Sequence, residues 1–387
     1  MSRFGDGVLS VALPLLVLMA TRSATDMGVV VAARLLPTVV FLLLGGAVTD
    51  RVSRRLAMVV SDVSRALIAV VLGILAVVGG LNFTELVVGS ILFGLFDALF
   101  YPASTALLPD IVAPEHLAAS NSLNRISGTL LGGLLGPLVG GVVASTIGVS
   151  WALIIDAGTF VASASCLLLM RPTARPVTTQ TNVVREIIEG LSYCRKTPWL
   201  IWTITVAGVA NALVFSPTAV MLPLLFKRVL HVSNFMVGVG FAALGLGGML
   251  GGLVMLAIAR PRARVRVMWL SWASAAGLGV AFGLSTSAWV ASFVALGSGG
   301  LLTVGNILWD SLLQSEVPTE ILGRVSSVDW TFSLGLSPIG VGIAGAVSGV
   351  VGIRATIVAP AIAVVIVAVG VLVGVRSLTA IDRTTAY

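Results

Sequence analysis

The chain is 387 residues long, 57% hydrophobic and only 10% charged, with a formal net charge of +7. Soluble domains carry about 25% charged residues, and a mean hydropathy of +1.08 is too high for apolar surface to hide in one or two water-bathed cores. All but two of the basic residues, Lys196 and Lys227, are arginines, and most lie in breaks between apolar runs; that pattern orients a chain in a membrane and excludes a polynucleotide-binding face.

Apolar runs of membrane length follow one another from the start. They cover Gly7 to Ala20, Gly28 to Val48, Ala57 to Val78, Leu86 to Leu108, Ile126 to Ile147 and Trp151 to Met170. After a polar stretch come Leu200 to Phe226, Val237 to Ala259, Val267 to Leu284, Ala288 to Leu313, Val325 to Val351 and Ala355 to Val375. A helix crosses a bilayer in roughly 20 residues, so these runs predict an all-α integral membrane protein of twelve transmembrane helices. They lack the alternation of an outer-membrane barrel. The first run starts so close to Met1 that a short or mis-set amino terminus is expected, and a cleavable signal is not.

Charge orients the bundle. With both termini cytoplasmic, eighteen arginines and lysines fall on the inner side or at inner span ends, against Arg22, Lys227, Arg228 and Arg354 outside. Short loops rich in Lys and Arg stay cytoplasmic. One long connection divides the chain into a six-helix half at 1–170, a cytoplasmic linker at 171–198 and a second six-helix half at 199–387. In the linker Val183, Val184, Ile187, Ile188 and Leu191 share a helical face opposite Arg185, Glu186, Glu189 and Ser192. That predicts an amphipathic helix along the membrane surface, serving as a plain linker or a regulatory element. The halves echo each other: Arg51, Arg54 and Arg55 return as Arg260, Arg262, Arg264 and Arg266. Repeated halves predict a substrate site between them, exposed to each side in turn.

Two stretches carry more than orientation. Gly45 to Arg55 packs an acid and three arginines into a very short break. Asp50 at its tip can accept hydrogen bonds from the free N–H groups of a helix start and favour its positive end; setting topology alone is the other role open to it. In the fifth run Gly128, Gly132, Gly136 and Gly140 recur every fourth residue, a groove that lets another backbone come close. Pro137 removes one backbone donor and bends the span.

Both stretches resemble motifs of the major facilitator superfamily. Gly46, Asp50, Arg51, Arg54 and Arg55 match the pattern of its loop between the second and third spans. Gly132, Gly136, Pro137, Gly140 and Gly141, preceded by Gly128, resemble the fifth-span motif of its drug:proton antiporter branch. Phe4 to Gly7 and Arg34 to Pro37 are similar to twelve-span exporters of macrolides and siderophores. The resemblance implies a major facilitator fold, a cytoplasmic latch between the Asp50 loop and the eleventh span near Gly323 and Arg324, and a hinge against leak in the glycine-rich span. The chain departs from this branch in having no arginine in the fourth span.

Charged groups within spans cost about 2.5–3.5 kcal/mol each at a helix centre, so those that occur need a task. Arg34, two turns into the second span, is a cavity charge. Asp97, near the middle of the fourth, is the first candidate for carrying a proton, and Asp6, near the inner end of the first, is the second. Pairing with an arginine is the structural alternative. Asp156 is placed near the outer end of the sixth span, and Asp62, Arg65, Arg125, Asp310 and Asp329 near inner span ends as interfacial ion pairs.

Gly340 to Gly345 fits G-x-G-x-x-G but sits inside an apolar span with no strand before it, and Arg195 breaks the phosphate-loop spacing of Gly190 to Thr197. Cys166, Cys194, His116 and His231 have no ligand spacing. No cofactor, metal or ATP site is expected. The reading is a secondary active transporter, not an enzyme, exporting amphipathic or hydrophobic small molecules (drug, antibiotic or siderophore-like) across the cell membrane against protons. Its partners are the bilayer, the cargo and protons. A symporter or uniporter importing a small metabolite is the alternative, and a non-transporting sensor a third. Asn211, Asn306, Trp309 and Gln314 are among few polar groups for the cargo path, which suits bulky apolar cargo better than sugars.

Overall fold

The computed structural model describes residues 1–44, 53–113, 116–170, 183–258, 263–375, 378 and 381–382. Among them, twelve helices are long and apolar enough to cross a membrane, and there is no strand. In chain order, α1 is Ser2–Thr21, α2 Ala24–Leu44, α3 Arg54–Val77 and α4 Phe83–Ile111. The α5 rod runs as Leu117–Ser127, a π-helical stretch Gly128–Leu135 and Gly136–Thr146, and α6 is Val149–Leu169. The connecting helix α7 is Val183–Lys196, and α8 joins Pro198–Ala210, Asn211–Phe215, Thr218–Leu224 and Leu225–Val229. Then follow α9 Asn234–Ala257, α10 Arg264–Leu284 and α11 Ala288–Glu316. Finally α12 pairs Thr319–Gly335 with Ser337–Val351, and α13 is Ile353–Gly374.

Large apolar side chains stand uncovered on the helices: Leu256 is 80% exposed, Phe293 72% and Val350 87%. Lipid chains take the place of a core around them, while each helix satisfies its own backbone. The chain forms two compact units, Met1–Thr181 with His231–Ala242, and Asn182–Leu230 with Ala243–Tyr387. Within the first, α3 lies along α6, α2 along α4, and α1 against α5 and α6. Within the second, α10 packs on α11 and α13, and α7 on α12.

Lipid tails are as apolar as leucine, so close backbone approach holds these helices together. The glycine stripe of α5 serves that end. A Cβ at Gly136 would lie 2.6 Å from the Phe4 carbonyl, one at Gly140 2.9 Å from that of Val8, and one at Gly132 3.0 Å from that of Arg3. Gly132, Gly136 and Gly140 therefore receive the backbone of α1, and Gly128 faces the Arg3 side chain. Gly141 faces α9 instead, where its Cβ would come 2.9 Å from the Gly238 Cα. The stripe carries the π-helical stretch, which ends as Gly136 and Pro137 open a regular helix; a wide turn followed by a proline is a recognised place for a helix to bend.

Helix ends repeat across the units. Gly148 (φ 108°) turns α5 into α6, and Gly352 (φ 90°) turns α12 into α13, a left-handed conformation that penalises any Cβ. The start of α10 is capped from far along the chain: Asp382 accepts from the Val265 N–H at 2.9 Å and the Arg266 N–H at 3.2 Å. Sequence periodicity predicts α7 as an amphipathic helix; the helix forms, and its second half packs on α12 while Ile188 stays exposed. Cys194 is wholly buried, a Cβ at Gly190 would lie 2.7 Å from the Arg324 backbone, and Glu189 pairs with Arg324 at 2.8 Å.

Candidate functional site: a buried ion network in the first unit

Five helices bring charge to one place in an apolar core. The link begins at Gly94 on α4, where the absence of a Cβ lets the Arg34 carbonyl of α2 sit against the backbone; Thr38 adds a bond to the Gly94 carbonyl at 3.1 Å. At this approach Arg34 reaches across to Asp97, donating from Nε at 3.2 Å and Nη2 at 3.0 Å to one carboxylate oxygen. The same Nη2 donates to Asp6 of α1 at 3.2 Å. Asp97 spends its other oxygen on Arg65 of α3, at 2.9 Å.

Arg65 is 0% exposed and holds three further contacts. Its Nη2 donates to Asp62, one turn back, at 2.5 Å and to the Ser2 hydroxyl at 3.2 Å, and its Nη1 lies 3.9 Å from Asp6. The guanidinium sits 4.4 Å from the Phe100 ring centroid and 4.5 Å from that of Phe160, and Arg34 lies 4.7 Å over Phe93. Aromatic faces attract cations most strongly where water is excluded, so the rings supply attraction that solvent would otherwise provide. Asp156 of α6 completes the set, fully buried beside Gly5.

The structure thus joins Asp6, Arg34 and Asp97, the three membrane-embedded residues singled out from sequence. It corrects three others. Asp62 and Arg65 are not interfacial, since Arg65 stands halfway along α3 and both are 0% exposed. Asp156 does not reach the outer surface, being itself 0% exposed. The signal for the first pair was present: Asp62 and Arg65 stand three residues apart, which places them on one helix face. Among the polar residues proposed for the cargo path, Asn211 is spent on the Ser333 carbonyl and on Ser337 Oγ at 3.1 Å. Asn306 accepts from Trp272 at 3.0 Å, and Trp309 donates to Asp329 at 3.0 Å.

Gly46, Asp50 and Arg51 of the inner loop lie outside the described residues. Of its remaining members, Arg55 donates from Nε to the Leu167 carbonyl at 2.7 Å and from Nη2 to that of Leu168. A cation on the last carbonyls of a helix satisfies orphan acceptors and the negative end of the dipole. Arg54 begins α3, behind Ser53, whose hydroxyl accepts from the Leu56 N–H at 3.2 Å. Gly128, Gly132, Gly136 and Gly140 form the α5 stripe described above, with Pro137 at its bend and Gly141 turned to α9.

Twelve spans, repeated helix ends and an embedded charge network define a polytopic membrane transport fold. The family profile of the Major Facilitator Superfamily matches residues 1–337, and the chain belongs to that family. Multidrug efflux pump Tap of Mycolicibacterium fortuitum is 28% identical over 379 residues, covering 92% of this chain and 88% of that protein. Enterobactin exporter EntS of Citrobacter koseri is 26% identical over 331 residues, covering 84% and 77%. Among solved structures, a mutant of the nucleoside transporter NupG superposes with a TM-score of 0.77 at 13% identity, covering 97% of this chain and 98% of that one. A D-xylose-proton symporter gives 0.71 at 16%, covering 95% of each. These structural likenesses concern the fold alone.

Proposed function

We propose that the chain is a proton-driven exporter of amphipathic or hydrophobic small molecules, in the class that includes drugs, antibiotics and siderophores. One observation carries the coupling: the buried network of the first unit holds four carboxyl groups, on Asp6, Asp62, Asp97 and Asp156, against the guanidiniums of Arg34 and Arg65. An interior of low dielectric does not tolerate surplus negative charge, so such a network binds protons and changes its pairing when it loses them. Arg34 is the cavity cation that links Asp97 to Asp6. The named activities of the two efflux relatives support export over import, and the apolar character of the spans supports cargo that partitions from the bilayer.

In this reading the two six-helix halves alternate access around the cargo, with the inner loop at Asp50 and Arg51 and the α5 stripe governing the inner closure and the bend. The chain resides in the cytoplasmic membrane with both termini inside, supported by the excess of arginine on that side. The test is accumulation of a fluorescent amphipathic dye by cells expressing the chain, with and without a protonophore. Lower accumulation that returns to the level of control cells with the protonophore is expected; higher accumulation on expression would reverse the direction and refute export.

A further inference from the structure

One acid of the network has no counter-charge. Asp156 is 0% exposed and its Oδ2 has no hydrogen-bond partner. Its neighbour Thr159 gives its short bond, 2.8 Å, to the Asp156 carbonyl and stands 3.4 Å from Oδ1. The guanidiniums are committed elsewhere, Arg34 to Asp97 and Asp6, and Arg65 to Asp97 and Asp62. The place of this carboxyl is nevertheless built. Gly5 of α1 leaves open the space it fills: a Cβ there would run into Asp156 Oδ1 and the Thr159 hydroxyl, with Asp156 Cγ at 3.3 Å.

The charged groups around Asp156 are Asp6 on α1, Arg34 on α2, Asp62 and Arg65 on α3 and Asp97 on α4. The α5 segment Gly136–Thr146, also packed on α6, has none. We propose that Asp156 carries the coupled proton and is a neutral acid in the state described, while Asp97 serves as the fixed anion between two arginines. This rests on the proton-driven reading above. A carboxylate without a cation in a dry interior is far costlier than the neutral acid, whereas one held by two guanidiniums is at its lowest energy when charged.

The step involves a single O–H bond. A proton from water on the outer side joins a carboxylate oxygen of Asp156, and the same bond later breaks to return a proton to water on the inner side. The ionised form then needs a cation, and Arg65 is poised to supply it. Its guanidinium lies over Phe160, one turn along α6 from Asp156, and its Nε is buried without a partner. Loss of the proton would thereby draw Arg65 from Asp62 and Asp97, loosening the joint between α3 and α4 while tying α3 to α6.

Infrared spectroscopy of the purified full chain in lipid nanodiscs reads the protonated carboxyl directly, through a C=O stretch at the frequency of a weakly hydrogen-bonded acid. Wild type should show this band at neutral pH; Asp156→Asn should lose it, Asp156→Glu should shift it, and Asp6→Asn should keep it. In proteoliposomes Asp156→Asn should lose cargo-driven proton release while retaining gradient-free exchange of cargo. Absence of the band in wild type, or its persistence unchanged in Asp156→Asn, overturns the assignment. Should Asp156→Asn fail to fold, an unshifted band in Asp156→Glu does the same. A wild type that shows the band but releases no proton with any cargo refutes the proton-driven reading and leaves the assignment of the neutral acid standing.

Discussion

Replacing Gly136 by alanine measures how closely α1 and α5 must approach. The added Cβ would lie 2.6 Å from the Phe4 carbonyl and 2.7 Å from the Gly7 Cα, against 3.4 Å or more for an ordinary contact. Both opposing atoms are backbone, so no rotamer relieves the clash, and α1 must retreat by about 0.8 Å. Overpacking of this kind costs about 1–3 kcal/mol. Alanine also gains about 1 kcal/mol of helix propensity over glycine, which would mask part of the loss. Gly158→Ala on α6 supplies the control, because a Cβ there meets nothing within 4 Å. The two variants share the propensity gain, so their difference isolates the clash. Thermal unfolding of the purified proteins in detergent should place Gly136→Ala below Gly158→Ala by the equivalent of about 1–3 kcal/mol. Equal stability of the two would show that the stripe does not seat α1 and would refute the packing reasoning.

Arg55→Ala should lower thermal stability by about 0.5–2 kcal/mol, since it uncaps the last carbonyls of α6, and Arg55→Lys should recover part of the loss. Asp382→Ala should cost about 0.5–2 kcal/mol by leaving the Val265 and Arg266 N–H groups without their acceptor, with Asp382→Asn milder because one amide oxygen can still accept. Burial pushes the Cys194 thiol up to about 11; being acidic, it gives thiolate only as pH rises toward that value, so a maleimide should spare it in the folded protein at pH 8 and label it after unfolding. Single cysteines at Thr25, Ser145 and Ser287 should react with an impermeant thiol reagent from outside, and those at Ser53 and Arg262 only after permeabilisation; the opposite pattern would invert the orientation.

Twelve spans were legible because a membrane helix must be apolar along its whole length, a signal that survives any detail of packing. The pairing of Arg34 with an acid was legible as a need, since an embedded charge must find a partner, but the partner was not. That choice depends on Gly94, whose missing side chain lets α2 and α4 touch, and nothing in a single sequence ties position 94 to position 34. Span boundaries caused the other errors. Reading the third span from Ala57 rather than Arg54 moved Asp62 and Arg65 toward water, whereas in the fold Phe100 and Phe160 close over the guanidinium. For α7 the amphipathic pattern was enough to predict the helix, and it forms. Nothing in a single sequence ties Gly190 to the Arg324 backbone that it meets.

The two units hold themselves together by different means, and this bears on where an ion can act. The first unit holds a membrane-embedded ion network of Arg34 and Arg65 with Asp6, Asp62 and Asp97. In the second, Arg264 at the start of α10 pairs with Glu316 at the end of α11, and Arg324 of α12 pairs with Glu189 midway along α7. Its interior relies instead on indoles: Trp309 packs edge-on against Trp199 at 6.3 Å and beside Trp272 at 6.2 Å, while donating to Asp329. Contacts between indoles carry no charge to change when a proton arrives, and the Asp329 carboxyl held by Trp309 is the titratable group of that cluster. A network of four carboxyls and two guanidiniums must repair its pairing with each proton gained or lost. On the proton-driven reading proposed above, substitutions at the charged residues of α1, α2, α3, α4 and α6 should alter coupling.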